Sequence, residues 1–130
     1  MSVGILIITH DGIGPALLGT TSHMLGGCPL NSRLLMASRD SDPQELEHQA
    51  EEFVEALDTG DGVLVLTDLY GSTPSNIATK MMKKSFIRVV SGVNLSMLVR
   101  VFNYPSLSLE ELAEKAVSGG QDGIISMPEE

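Results

Sequence analysis

Tryptophan is absent from this 130-residue sequence, and cysteine occurs once, at Cys28. A single thiol excludes an internal disulfide and any metal site built on a cysteine cluster. Basic residues are scarce: eight Lys and Arg face seventeen Asp and Glu, for a formal net charge of −9. That deficit argues against nucleic acid as a partner, since phosphate contacts need clustered cations. It also argues against an anionic membrane surface. No unbroken apolar run exceeds the four residues Ile5–Ile8, far short of a bilayer span, so no membrane insertion is expected. No Lys or Arg precedes Arg33, so the basic start of a secretory signal is missing. The expectation is a cytoplasmic domain.

What remains is enough to fold. With 42% hydrophobic and 19% charged residues the chain can bury a core. Its length suits one domain, residues 1–130, with a radius of gyration of roughly 14 Å.

Strand and helix signals alternate along the chain. Val3–Ile8 and Val63–Leu66 are continuous apolar runs of the kind found in strands covered on both faces. Leu34–Ala37 and Ile87–Val90 supply two more strands. After the first strand, Gly12, Gly14 and Pro15 open a helix carrying Leu17, Leu18, Thr21, Met24 and Leu25, which Gly26-Gly27 stop. Asp42-Pro43-Gln44-Glu45 reads as a helix start, with Asp42 as N-cap and Glu45 placed to close a capping box. Leu46, Ala50, Phe53, Val54 and Leu57 then form one apolar stripe. Thr73-Pro74 begins a third helix, and Leu95–Phe102 a short fourth. Ser108-Leu109-Glu110-Glu111 is a second capping box, opening a helix that Gly119-Gly120 are expected to end. Gly123–Met127 is read as a short C-terminal edge strand on a flexible glycine joint, which a second copy of the chain could exchange. The pattern predicts an α/β fold: one doubly wound, mainly parallel sheet of order 2-1-3-4, with helices on both faces.

In such sheets ligands bind beyond the carboxyl ends of the strands, where the winding reverses. Strands one and three become neighbours there, so Thr9-His10-Asp11 should meet Thr67-Asp68-Leu69. A carboxylate on one imidazole nitrogen fixes the tautomer and leaves the other lone pair free to attack. It also stabilises the charge that the ring gains on accepting a phosphoryl group. The helix start at Ser72-Thr73, with hydroxyls from Thr9, Ser72 and Thr73, could hold phosphoryl oxygens. The competing reading leaves His10 as a locally bonded strand end and Asp68 as a loop cap.

Other candidates are weaker. His23 and His48 read as surface residues, and the three histidines have no metal-ligand spacing. Gly12-Ile13-Gly14 lacks the third glycine of a dinucleotide fingerprint, because Leu17 stands there, and no P-loop lysine follows a strand. Cys28 reads as a small buried hydrophobe.

Three blocks carry a resemblance: Ile8-Thr9-His10, then Val63 through Asn76, with Asp68-Leu69-Tyr70-Gly71-Ser72-Thr73-Pro74 at its centre, and Ser91 through Leu98. In this order the chain resembles the EIIA component of the mannose-type phosphoenolpyruvate-dependent sugar phosphotransferase system. The resemblance implies a phosphotransferase acting as a phosphoryl carrier. His10 would accept the group from phosphorylated HPr and pass it to an EIIB protein for sugar uptake or regulation. Asp68 would hold the ring, with Ser72 and Thr73 nearest the phosphoryl oxygens. No metal or organic cofactor is implied, and a homodimer is. Two positions depart from the family: Asp11 follows the histidine where glycine is usual, and Ser72 replaces a frequent second glycine. The alternative is a receiver-like or nucleotide-binding regulatory module without phosphohistidine transfer. A receiver would want more acid after strand one than Asp11, and a lysine beyond Lys115.

Overall fold

A computed structural model describes residues 2–128. Four strands, β1 (Gly4–His10), β2 (Ser32–Ala37), β3 (Val63–Thr67) and β4 (Ile87–Ser91), form one parallel sheet of order β2-β1-β3-β4. Five helices accompany them: α1 (Ile13–Leu25), α2 (Pro43–Leu57), α3 (Thr73–Met81), α4 (Leu95–Phe102) and α5 (Leu109–Asp122).

The continuous apolar runs are the two central strands, and the pleat divides them between two cores. Ile5, Ile7, Leu64 and Leu66 face the side covered by α1, α4 and α5. Leu6, Ile8, Val63 and Val65 face α2 and α3. At the edges, β2 and β4 mix buried and accessible positions, as edge strands covered on fewer sides do. The chain leaves β1 toward β2, then returns past β1 to β3, so the winding reverses between β1 and β3. The expected architecture is present.

Local signals map onto the helix ends. Pro43 sits in the first turn of α2, and the Asp42 carboxylate accepts from the Gln44 N–H at 3.1 Å. The reciprocal bond expected of Glu45 is not made, so Asp42 caps this helix alone. At α5 the full box forms between Ser108 and Glu111. Cys28 is exposed, contrary to its reading as a buried hydrophobe. Gly26 and Gly27, at φ of 75° and 150°, carry the chain off the end of α1, and Leu30 enters the core in place of the thiol.

The C-terminal expectation also fails. Gly119 and Gly120 lie buried inside α5 rather than ending it. They permit close approach to α4: a methyl group on Gly119 would overlap Arg100 Cβ and sit 2.7 Å from Arg100 Cγ. Polar contacts fasten the same seam, with Asn94 Nδ2 donating to the Gly120 carbonyl at 3.2 Å and Arg100 donating to Asp122 at 3.2 Å. Gly123–Met127 therefore follows the helix without joining the sheet, and Ile124 and Ile125 are exposed.

This packing fixes the sign of one substitution. An Ala for Gly inside an ordinary helix gains about 1 kcal/mol. At Gly119 the overlap with Arg100 reverses that, and Gly119→Ala is expected to cost about 1–3 kcal/mol. Thermal unfolding followed by circular dichroism should show a lower melting temperature; a higher one would mean that α4 and α5 are not in close contact.

Candidate functional site

The register of β1 against β3 decides what meets beyond the sheet. Ile8 pairs with Thr67, the last residue of β3, so the next positions, Thr9 and Asp68, lie level. The end of β3 is held firmly. The Thr67 carbonyl accepts from the Gly92 and Val93 N–H groups at 2.9 and 2.8 Å, and its hydroxyl donates to Ser91 Oγ at 3.0 Å. Asp68 leaves this anchored strand end directly toward β1.

There its Oδ2 accepts the His10 backbone N–H at 3.0 Å and stands 2.9 Å from His10 Nδ1. One carboxylate oxygen thus grips both the main chain and the ring. Asp68 is 9% exposed and the His10 side chain 46% exposed, so the pair has a sheltered anion and an accessible ring. With Nδ1 bonded to a carboxylate, the favoured neutral tautomer carries its proton on Nδ1 and its lone pair on Nε2. The second oxygen, Asp68 Oδ1, is buried and has no partner. Burial pushes the Asp68 carboxyl upward. The His10 amide, the ring hydrogen bond and attraction to the imidazole more than offset this, leaving it below the ordinary carboxylate range.

The other expected site residues divide. Thr9 is fully buried, and its hydroxyl points into the fold: it donates to the His10 carbonyl at 2.8 Å and accepts the Gly14 N–H at 2.8 Å. It therefore has no free donor for a phosphoryl oxygen, contrary to the expectation for it. Ser72 is the N-cap of α3, and its hydroxyl donates to the Leu69 carbonyl at 2.6 Å. Thr73 opens the helix and is exposed. The tight turn before them uses Gly71 at φ 88°. His23 is exposed on α1, and His48 pairs with Glu52 on the surface of α2 at 3.5 Å.

Sequence reading missed the Thr67–Ser91 bond and the double grip of Asp68 on His10. It also missed the capping of α1 by Thr9. The signal for the last was there: Thr9 shares the parity of Ile5 and Ile7, whose face α1 covers.

Fold and site together define a parallel α/β domain that displays a carboxylate-oriented histidine where the winding reverses. Residues 4–117 match the EIIA-man family, described as the PTS system fructose IIA component, and the chain belongs to that family. The PTS system mannose-specific EIIAB components of Escherichia coli (strain K12) and Shigella flexneri are 32% identical over 130 residues, 98% of this chain. This chain spans 40% of their length. Among solved structures, the mannose/sorbose specific IIA subunit of the phosphotransferase system from Enterococcus faecalis superposes with a TM-score of 0.85. It is 25% identical, over 99% of this chain and 98% of that one. The PTS IIA protein associated with the fucose utilization operon of Streptococcus pneumoniae gives 0.80 at 27% identity, over 97% and 96%.

The lowered Asp68 carboxyl has a pH signature. A carboxylate depressed in the folded state stabilises the fold above its unfolded value, about 3.9, and that contribution is lost as pH falls through the folded value. Wild type should therefore lose stability relative to Asp68→Asn as acid is added below about pH 4. Urea unfolding at stepped pH checks this; a difference that stays constant with pH would mean that Asp68 titrates alike in both states.

Proposed function

We propose that this chain is a cytoplasmic phosphoryl carrier of a sugar phosphotransferase system, working as one EIIA domain over residues 1–130. The observation that carries the reading is the His10 ring, held at Nδ1 by Asp68 and left accessible on its other side. Nε2 attacks the phosphorus of a phosphohistidine on HPr. The new N–P bond forms as the donor's N–P bond breaks, and the bonding pair returns to the donor imidazole. His10 keeps its Nδ1 proton, so the phosphorylated ring carries a positive charge facing the Asp68 carboxylate. The same steps in reverse sense deliver the group to an acceptor side chain on EIIB. The backbone N–H groups of Ile13 and Thr73, in the first turns of α1 and α3, have no intrahelical partners and are the donors we assign to the phosphoryl oxygens, assisted by the Thr73 hydroxyl; the Gly14 N–H and the Ser72 hydroxyl are already given to Thr9 and to the Leu69 carbonyl. Asp11, beside the phosphoacceptor, adds a negative charge that would raise the cost of phosphorylation.

Incubation with phosphoenolpyruvate, enzyme I and HPr should label the wild type with an acid-labile, alkali-stable phosphoryl group. His10→Ala should take none, while His23→Ala and His48→Ala label fully. Asp68→Asn should transfer roughly tenfold more slowly, the worth of one charge-assisted hydrogen bond. Undiminished labelling of His10→Ala would sink the assignment, and an alkali-labile label would favour an aspartyl phosphate.

We also propose a homodimer through the C-terminal segment. The free edge of β4 and α5 border a groove of about 480 Å³ that includes Val89, Val90, Ala113 and Val117. Ile124, Ile125 and Met127 are 77%, 70% and 78% exposed. An apolar segment and an open strand edge on one chain suit pairing between two copies. Light scattering at micromolar concentration should give twice the chain mass, falling to one chain mass on removal of residues 124–130. A monomeric intact protein refutes the dimer, and a dimer that survives truncation clears the segment.

A further inference from the structure

We infer that Thr9 is a positioning residue for the chemistry of His10, an inference that rests on the phosphoryl-carrier reading. Among the described residues its hydroxyl is the one side-chain group hydrogen-bonded to both the main chain of His10 and the first turn of α1. The N-cap of α1 is Gly12, at φ 83°, which has no side chain to accept an N–H from the first turn. Thr9 does this from the preceding strand, taking the Gly14 N–H at 2.8 Å. Its own proton goes to the His10 carbonyl, also at 2.8 Å. Both bonding directions of a fully buried hydroxyl are thus spent on the turn that carries the phosphoacceptor.

The first turn of α1 is seated tightly on this group. A methyl group on Gly14 would come within 2.9 Å of Thr9 Oγ1 and 3.2 Å of Leu34 Cδ2. Thr9 therefore fastens helix, turn and strand together at one atom. His10 is consequently held at three places: the amide and the ring by Asp68 Oδ2, and the carbonyl by Thr9. Asp68 alone fixes Nδ1 and N, which lie on one side of the residue. A shift of the turn that moved His10 Cα would still tilt the ring and carry Nε2, its far atom, with it, and displacements of about 1 Å at a reacting atom can cost on the order of a hundredfold. The Thr9 bond to the carbonyl, tied in turn to α1 through the Gly14 N–H, opposes that shift.

The test compares Thr9→Val, which keeps the shape and loses the hydroxyl, with Thr9→Ser, which keeps the hydroxyl. Two readouts are taken on each full-length protein: the imidazole ¹⁵N spectrum of His10, and phosphoryl transfer from HPr. Thr9→Val should shift or broaden the His10 ring nitrogens as the Nδ1–H tautomer loses its exclusive hold. It should also slow transfer roughly threefold to tenfold, the range expected for one neutral hydrogen bond. Thr9→Ser should restore both. A role confined to folding would lower the melting temperature and leave ring spectrum and rate unchanged, and that result overturns the proposal. Failure of Thr9→Ser to restore either readout also overturns it, since methyl packing would then be the cause. If Thr9→Val does not fold, Thr9→Ala removes the hydroxyl without adding bulk, and a folded Thr9→Ala with wild-type spectrum and rate refutes the role. Should wild type take no phosphoryl group at all, the carrier reading falls, and the ring spectrum still decides whether Thr9 positions His10.

Discussion

The contact between β1 and β3 is the constraint from which the rest follows. These strands are apolar up to their last residues because helices cover both their faces, and such strands belong at the centre of a sheet. Being central forces the connections on either side of β1 to run in opposite directions. The reversal leaves two strand ends adjacent without a crossover between them. Everything polar at that end of the molecule stands on this platform: Asp68 follows β3, His10 ends β1, and the register sets them level to within a residue.

The opposite character of the C-terminal part comes from a second close contact. Gly119 and Gly120 let α5 lie directly against the Arg100 and Met97 side chains of α4 with no side chain of its own between, so the helix runs on through residues that would end one in solvent. Glycine is unfavourable in a helix interior, and close packing with the ion pair from Arg100 to Asp122 offsets that here. The segment after it consequently leaves the body of the domain with its apolar side chains uncovered.

Sheet order, helix positions and the meeting of His10 with Asp68 were legible because each depends on pattern over many residues. Alternating elements, two apolar runs and the winding rule fix the topology without side-chain detail. What escaped depends on which of two interactions wins at one position. Glycine pairs near a helix end signal termination when the helix is judged alone, yet Gly119-Gly120 answer to Arg100, some twenty positions earlier in the chain. Cys28 has the composition of a core residue, but two positive-φ glycines carry it outward. Thr9 was read as a ligand group because it neighbours His10, although strand parity with Ile5 and Ile7 already directed it inward. Glu45 had the spacing of a capping box and did not make the bond, since spacing permits that bond without requiring it.

The sheltering of Asp68 bears on leakage. A phosphoryl group on nitrogen is at risk from water whenever a nearby base can take a proton from the attacking molecule. Asp68 is the carboxylate bonded to the ring, but Oδ2 is occupied twice by His10, and Oδ1 is closed off from solvent. The anion that orients the ring is thereby denied to water. In a carrier, the same burial that costs solvation energy at Oδ1 would lengthen the time over which the cargo survives between donor and acceptor.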